Sequence, residues 1–356
     1  MGVGEKGRES KPFPESAKPG RLAYSTGRAQ CVVSTSTDVY TNLAFEDWLL
    51  RNTDAQTHVL YLWRNEPTVV IGRNQNPWKE CDLGLLQERG VGLARRTSGG
   101  GAVYHDLGNT NYTVLMPRQA FSRDRCAVMV SEALQQLGIP ARVTARHDVA
   151  VGGRKVSGSA FRLTSARAFH HGTMLIDADL ARLSGCLRSR HADAIDARGV
   201  DSVRSPVANL RDFSWSVDHG AFCAAVRARF AAEFGPVGDM PFDPAANADM
   251  RRRLATWDWL YAQTPDFVLR LDGFFAWALL TAAVSVHRGH VSAAELAPPP
   301  EATALPPHVQ AAIADIRRLL PGARYCRADV ARRLAPVRAR SPHAAEIADW
   351  LLAAFH

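Results

Sequence analysis

Lysine is scarce over most of this 356-residue chain: after Lys79 it occurs once, at Lys155, and arginine supplies the other cations. The ammonium kept inside Gly152-Gly153-Arg154-Lys155-Val156-Ser157-Gly158 therefore stands out. An ammonium is a compact point charge that reaches a single phosphate or carboxylate oxygen, whereas a guanidinium is a broad planar fork. Paired cysteines are also missing. Cys31, Cys81, Cys126, Cys186, Cys223 and Cys326 form no C-x-x-C pair, which argues against a zinc ribbon or a disulfide framework and fits a reducing compartment. No apolar stretch is long enough to cross a membrane as a helix. The nearest, Gly273 to Val286, reads as a buried strand or strand pair. The first 30 residues hold no signal-peptide core, and Glu5, Glu9 and Glu15 weigh against an organellar presequence. Residues 1–30 read as a disordered tail, with a targeting segment as the alternative.

What is present is ordinary in composition, with 46% apolar and 22% charged residues, and basic, with a formal charge of +8. The length suits two domains. The charge favours acidic partners, but the arginines are scattered and not interleaved with aromatics, so nucleic acid is not singled out. Neither a nucleic acid nor a membrane is expected as partner, and a monomer is the default.

The second concentrated signal is Arg95-Arg96-Thr97-Ser98-Gly99-Gly100-Gly101-Ala102-Val103-Tyr104-His105-Asp106. Three consecutive glycines can bring backbone N–H groups close to an anion. Arg95 and Arg96 read as cationic donors beside it, since neighbouring guanidinium groups would repel without one. The spacing is that of neither a Walker loop nor a dinucleotide fingerprint.

Around these segments the pattern alternates between short strands and helices. Asn42 to Leu50 is spaced as a helix, with Thr41 or Asn42 as its cap. His58 to Trp63, Pro67 to Ile71, Val91 to Ala94 and Asn111 to Met116 read as strands, and Asn74 to Trp78 as a polar loop. Cys81 to Gly90, Asp124 to Leu137 and Phe222 to Phe234 read as helices. Strands near Val143 and Val149 lead to Lys155; Ser157 to Phe161 and Phe169 to Ile176 follow as strands. This predicts an α+β fold with a mixed sheet in residues 31–245. A Gly-, Pro- and Asp-rich break then opens a smaller α+β unit, residues 246–356, ending in helices at Val309 to Leu320 and Ala344 to Phe355.

These residues resemble the lipoate-protein ligases, both the two-domain bacterial type and the mitochondrial lipoyltransferases. The likeness is carried by Leu62 to Asn65, Thr68 to Cys81, Arg95 to Asn109, Gly153 to Phe161, Phe169 to Leu175 and Thr256-Trp257-Asp258-Trp259. It implies a biotin/lipoate ligase-like catalytic domain and a two-step reaction. ATP and lipoate give lipoyl-AMP and pyrophosphate, and the lipoyl group passes to an acceptor-domain lysine of a 2-oxoacid dehydrogenase E2 subunit or the glycine cleavage H protein. By the resemblance Lys155 is the catalytic lysine, and Arg96 belongs to the nucleotide and lipoate site. The binding segment is Ser98, Gly99, Gly100, Gly101, Ala102, Val103, Tyr104 and His105, with Ser157, Gly158 and His171 completing the pocket. Asp148 is the candidate magnesium ligand, or a partner for the Lys155 ammonium. His105 and His171 are also chemically able to act as a base. The compartment implied is the cytoplasm for a bacterial chain and the mitochondrion for a eukaryotic one.

Four alternatives stand beside this reading. An octanoyltransferase needs a cysteine nucleophile, but one matching position, counted back from Gly172, is Ala168. A biotin ligase would carry an alternating Gly-Arg-Gly loop, which Arg95 to Gly101 lacks. A lipoyltransferase would accept preformed lipoyl-AMP with little activation of lipoate. A basic scaffold would bind acidic lipoyl domains without ATP.

Overall fold

Two nine-residue strands, Asn109–Pro117 and Arg167–Leu175, are buried at every position and pair antiparallel along their whole length. In the computed structural model, which describes residues 29–300 and 304–355, they form the middle of a six-stranded mixed sheet. Its order is Ser159–Leu163, Arg167–Leu175, Asn109–Pro117, His58–Trp63, Ala29–Val33, Val237–Asp239, the last two junctions being parallel. The tail expected over residues 1–30 lies outside the described residues except for Ala29 and Gln30, which already belong to a strand.

Side chains alternate across this sheet, and both faces are covered. Leu60, Leu62, Tyr112, Val114 and Met174 pack against the helices Arg123–Gln136 and His219–Phe234. On the other face Val59, Tyr61, Leu115 and Phe169 pack against the helix Val39–Asn52. The alternation read at Asn111 to Met116 is thus not water against core. Asn111 faces a cleft, Thr113 is buried beneath the helix Val39–Asn52 where it donates to Glu46, and Tyr112 and Val114 face the opposite core. The helix Val39–Asn52 begins earlier than its spacing suggests. Its cap is Asp38, whose carboxylate accepts from the Tyr40 and Thr41 amides, so neither Thr41 nor Asn42 is the cap.

A small sheet sits beside that helix: Gly92–Arg95, Thr68–Ile71 and Val103–His105. A third, Arg142–Val143, Val149–Val151 and Arg154–Ser157, turns at Gly152 and Gly153, whose φ of 56° and 76° are left-handed.

The chain after Phe267 builds a separate core. The hairpin Phe267–Phe275 and Ala278–His287 and the strand His290–Ala297 pack on the helices Pro307–Leu319, Arg327–Arg338 and Pro342–Ala353. The strand-pair reading of Gly273 to Val286 matches this hairpin. The middle helix was not expected from the sequence: it is rich in arginine and contains Pro336, leaving Val330, Leu334 and Val337 as its buried stripe.

One strand and two side chains tie this part to the preceding sheets; the strand is Ile195–Ala197, which pairs antiparallel with Phe267–Phe275. Trp78, expected in a polar loop, is buried against Tyr261, Phe267 and Tyr325. Arg95, expected to face an anion, is fully buried and turned away from the glycines. Its guanidinium donates to the carbonyls of Leu260, Gly72, Arg73 and Gln75 and to Thr264 Oγ1. Burial drives its pKa down to about 10. Among the described residues no helix is long and apolar enough to cross a membrane.

Arg95→Met is expected to lower unfolding free energy by about 3 kcal/mol or more, since several buried carbonyls lose their donor together; urea unfolding measures it, and a loss under about 1 kcal/mol would refute the anchoring role. A pH effect follows from three buried histidines. Burial lowers the pKa of His58 to about 4, and of His105 and His170 to about 3. The unfolded chain takes up these protons first as pH falls below about 6.5, so stability is intact above that value and declines between there and about pH 3. The slope is up to about 1.4 kcal/mol per pH unit for each histidine. Urea unfolding at pH 7.5 and pH 5.5 checks the sign, and equal stabilities would overturn it.

Candidate functional site

Lys155 lies in the strand Arg154–Ser157 and is fixed by its backbone from the far side. Its N–H donates to Pro206 O at 2.8 Å, and its carbonyl accepts from Ala208 N at 3.0 Å. The side chain runs across Gly158, where an added Cβ would lie 2.8 Å from Cε and 2.9 Å from Nζ. This is the physical reason for a glycine at that point. The ammonium meets Asp148 Oδ1 at 2.9 Å, with Lys155 about a quarter exposed and Asp148 more buried.

The glycine run folds back over the turn that begins at Gly72. A Cβ on Gly72 would lie 2.1 Å from Gly100 O, and Gly100 itself has φ 86°. Arg96 holds this arrangement together. Its guanidinium donates to the carbonyls of Val70, Gly99 and Gly101 and to Ser98 Oγ, and burial lowers its pKa to about 10. The pair Arg95 and Arg96 therefore avoids mutual repulsion through carbonyl oxygens pointing in two directions, without needing a bound anion. Ser202, which no motif marked, completes the loop by accepting from Ala102 N at 2.9 Å and from Gln75 Nε2 at 3.0 Å.

Both candidate histidines are held in place. His171 joins Glu46 Oε1 through Nδ1 and Ser98 Oγ through Nε2, each at 2.8 Å. Glu46 also accepts from Thr113 Oγ1 at 2.7 Å. His105 Nδ1 lies 2.9 Å from Asn65 Nδ2. Neither imidazole is arranged as a free base.

These groups border two connected clefts. The inner one, about 200 Å³, is lined by Leu43, Trp63 and Val70 and by Arg96, Gly100, Gly101, His105, Asn111, Asp148 and His171. The outer one, about 770 Å³, is bordered by Lys79, Glu80, Arg188, Asp201 and Arg204. Ala102, Val103, Lys155, Gly158, Thr173 and Ser202 line both, so the ammonium stands at their junction. Of the residues marked in the sequence, Tyr104 borders only the outer cleft, with a side chain buried among Val69, Ile71 and Cys81. Ser98 is buried behind the wall, Gly99 borders neither cleft and faces open space, and Ser157 turns its hydroxyl to Tyr112 at 3.1 Å. Missed in the sequence were Glu46, Asn111, Thr173 and Ser202, which reach the site from distant segments. Glu46 left one trace: a carboxylate within the apolar spacing of a helix.

Known proteins resemble this chain in sequence and fold. The family model of the lipoyl protein ligase A/B catalytic domain matches residues 38–231. A lipoate-protein ligase A from Psychrobacter cryohalolentis is 38% identical over 270 residues, spanning 72% of this chain and 79% of that protein. Among solved structures, LipL1 of P. falciparum in complex with lipoate superposes with TM-score 0.59 at 25% identity, covering 91% of this chain and 99% of that one. A lipoate-protein ligase A bound with ATP gives TM-score 0.55 at 25% identity, covering 66% of this chain and 98% of that one.

Gly158→Ala is expected to push the ammonium off Asp148 while leaving the fold within about 1 kcal/mol of wild type, because only the mobile end of a lysine must yield. A crystal structure of the variant that keeps the 2.9 Å contact would refute this.

Proposed function

Because the chain belongs to the lipoyl protein ligase A/B catalytic-domain family, we propose that the two clefts carry out the two steps of an ATP-dependent lipoate-protein ligase. The observation that carries the reading is the placement of Lys155 between an inner cleft, walled in part by Leu43, Trp63 and Val70, and a wider one that carries the cations Lys79, Arg188 and Arg204. Lipoate enters with its ring towards Leu43, Trp63 and Val70, and its carboxylate reaches the junction. ATP occupies the outer cleft with its α-phosphate at the same point.

The reaction brings two anions together, so cations and N–H groups matter more than a base. A carboxylate oxygen attacks the α-phosphorus, the bond to the β-phosphate oxygen breaks, and pyrophosphate leaves. The Lys155 ammonium lowers the repulsion during attack. In the second step the acceptor lysine amine attacks the lipoyl carbonyl carbon, the amide bond forms, and AMP departs with the electron pair of the broken mixed anhydride. The same ammonium then stabilises the charge that develops on the carbonyl oxygen.

Magnesium, when bound with ATP, would offset charge on the phosphates. Among the described residues no three His, Cys, Asp or Glu side chains form a metal cluster. That donor set fits an ion held chiefly by the phosphates, with Asp148 giving one oxygen. In this reading residues 31–245 hold lipoate and ATP, residues 246–356 cap them, and the acceptor is a lipoyl domain of an E2 subunit or the H protein.

Lys155→Ala is expected to abolish both lipoate-dependent exchange of labelled pyrophosphate into ATP and transfer from supplied lipoyl-AMP to an apo lipoyl domain, with circular dichroism unchanged. Normal exchange by the variant would refute the role. Wild-type protein that transfers but does not exchange would be a lipoyltransferase instead.

A further inference from the structure

The far wall of the inner cleft holds one hydrogen-bond donor whose orientation is fixed from behind. Asn42 Nδ2 donates to Arg64 O at 2.9 Å, and Asn42 Oδ1 accepts from the Tyr61 hydroxyl at 2.9 Å. A backbone carbonyl can only accept, so this pair sets which end of the Asn42 amide is nitrogen. The same nitrogen faces Ser36 O at 3.0 Å and Asn65 Oδ1 at 2.9 Å, so its two N–H groups are shared among three oxygens; Asn65 accepts there through Oδ1 and turns Nδ2 to donate to His105 Nδ1. Nδ1 must then carry its lone pair, and a neutral imidazole has its proton on Nε2. Burial, reinforced by nearby Arg96, keeps His105 neutral.

His105 borders only the inner cleft, whereas Val103, in the same strand, borders both. The neighbours of His105 in the inner cleft include apolar groups: Trp63 meets it edge-on with ring centroids 5.9 Å apart, and Leu43 and Val70 share the wall, while Arg96 and His171 lie close enough to act on its charge. Trp63 directs its own N–H to Thr113 Oγ1 at 3.2 Å. His105 Nε2 makes no hydrogen bond among the described residues.

We propose that His105 is a specificity-determining residue, its Nε2–H donating to a ring sulfur of lipoate and so making the cleft favour lipoate over octanoate. This rests on the ligase reading above and adds to it the identity of the preferred acid. Octanoate would end in hydrocarbon against the donor and leave it buried without a partner. A dithiolane sulfur is a weak acceptor but an acceptor nonetheless. Sites that satisfy a polar group with one substrate reject the analogue that cannot. Asn65 and Asn42 act through His105 as positioning residues.

The test is acid-dependent pyrophosphate–ATP exchange with lipoate, octanoate and 5-cyclopentylpentanoate, which keeps the ring and lacks the sulfurs. Wild-type protein is expected to discriminate against the carbocyclic acid as it does against octanoate. His105→Asn keeps the contact to Asn65 and loses the distal donor. It is expected to lower the lipoate-to-octanoate ratio of kcat/KM by roughly three- to ten-fold, the scale of one hydrogen bond. His105→Gln places an amide near the Nε2 position and should recover much of the ratio. The assignment is overturned if wild type uses the carbocyclic acid as well as lipoate, or if the ratio in His105→Asn stays within two-fold. Equal ratios in the two variants would overturn it as well. Absence of exchange with any acid in the wild-type protein would instead overturn the ligase reading beneath it.

Discussion

Two adjacent guanidinium groups, buried without a carboxylate bound to either, are the constraint around which this site is built. A buried cation costs several kcal/mol unless its N–H groups find oxygen. Arg95 and Arg96 find it in backbone carbonyls, and each commits a different stretch of chain. Arg96 gathers Val70, Gly99 and Gly101, which fixes the glycine run. Arg95 gathers Gly72 and Gln75 on one side and Leu260 on the other, which fixes that turn against the entry to the second core. Alternation along one short strand thus sends one cation to the cleft wall and the other to the seam between the two cores.

This arrangement assigns the mobile charge of the site to lysine. A guanidinium held by several carbonyls is geometrically rigid and its N–H groups are largely occupied. Lys155 has one ionic contact, to Asp148, and a four-carbon stem lying over Gly158. In the proposed reaction it would follow charge from a carboxylate to a phosphate and then to a carbonyl oxygen while the carbonyl-held arginines keep the wall around it in place. The scarcity of lysine in the chain and the abundance of arginine have, at this site, a common physical basis: one residue type builds and the other moves.

How much of this was legible in the sequence depended on whether the chemistry was contiguous. Lys155 between glycines and the run from Arg95 to His105 concentrate unusual residues in short segments, so the position of the site, the mixed sheet and most of its strands could be read directly. Arg95 was misread because a guanidinium satisfied by carbonyls leaves no complementary residue to notice. Ser202 and Glu46 contribute single side chains across long stretches of chain, and a serine between Asp201 and Val203 or a glutamate inside a helix carries no local sign of its partner. The helix Arg327–Arg338 escaped for the opposite reason: its local signals, arginines and Pro336, disagree with a burial stripe of only three residues.

The two histidines show why residue type alone could not assign roles. Both were chemically able to act as bases, and both line the cleft. His171 is held between a carboxylate and a hydroxyl, with Glu46 at Nδ1 and Ser98 at Nε2, so its function is to connect the first helix to the glycine run. His105 is held at Nδ1 alone, by an amide whose orientation is dictated two residues further back by a backbone carbonyl. The amide behind the ring therefore decides its chemistry: an imidazole that accepts at Nδ1 and stays neutral presents a proton at Nε2. In the proposed reaction, proton abstraction in the transfer step must then be sought at a group other than these two imidazoles.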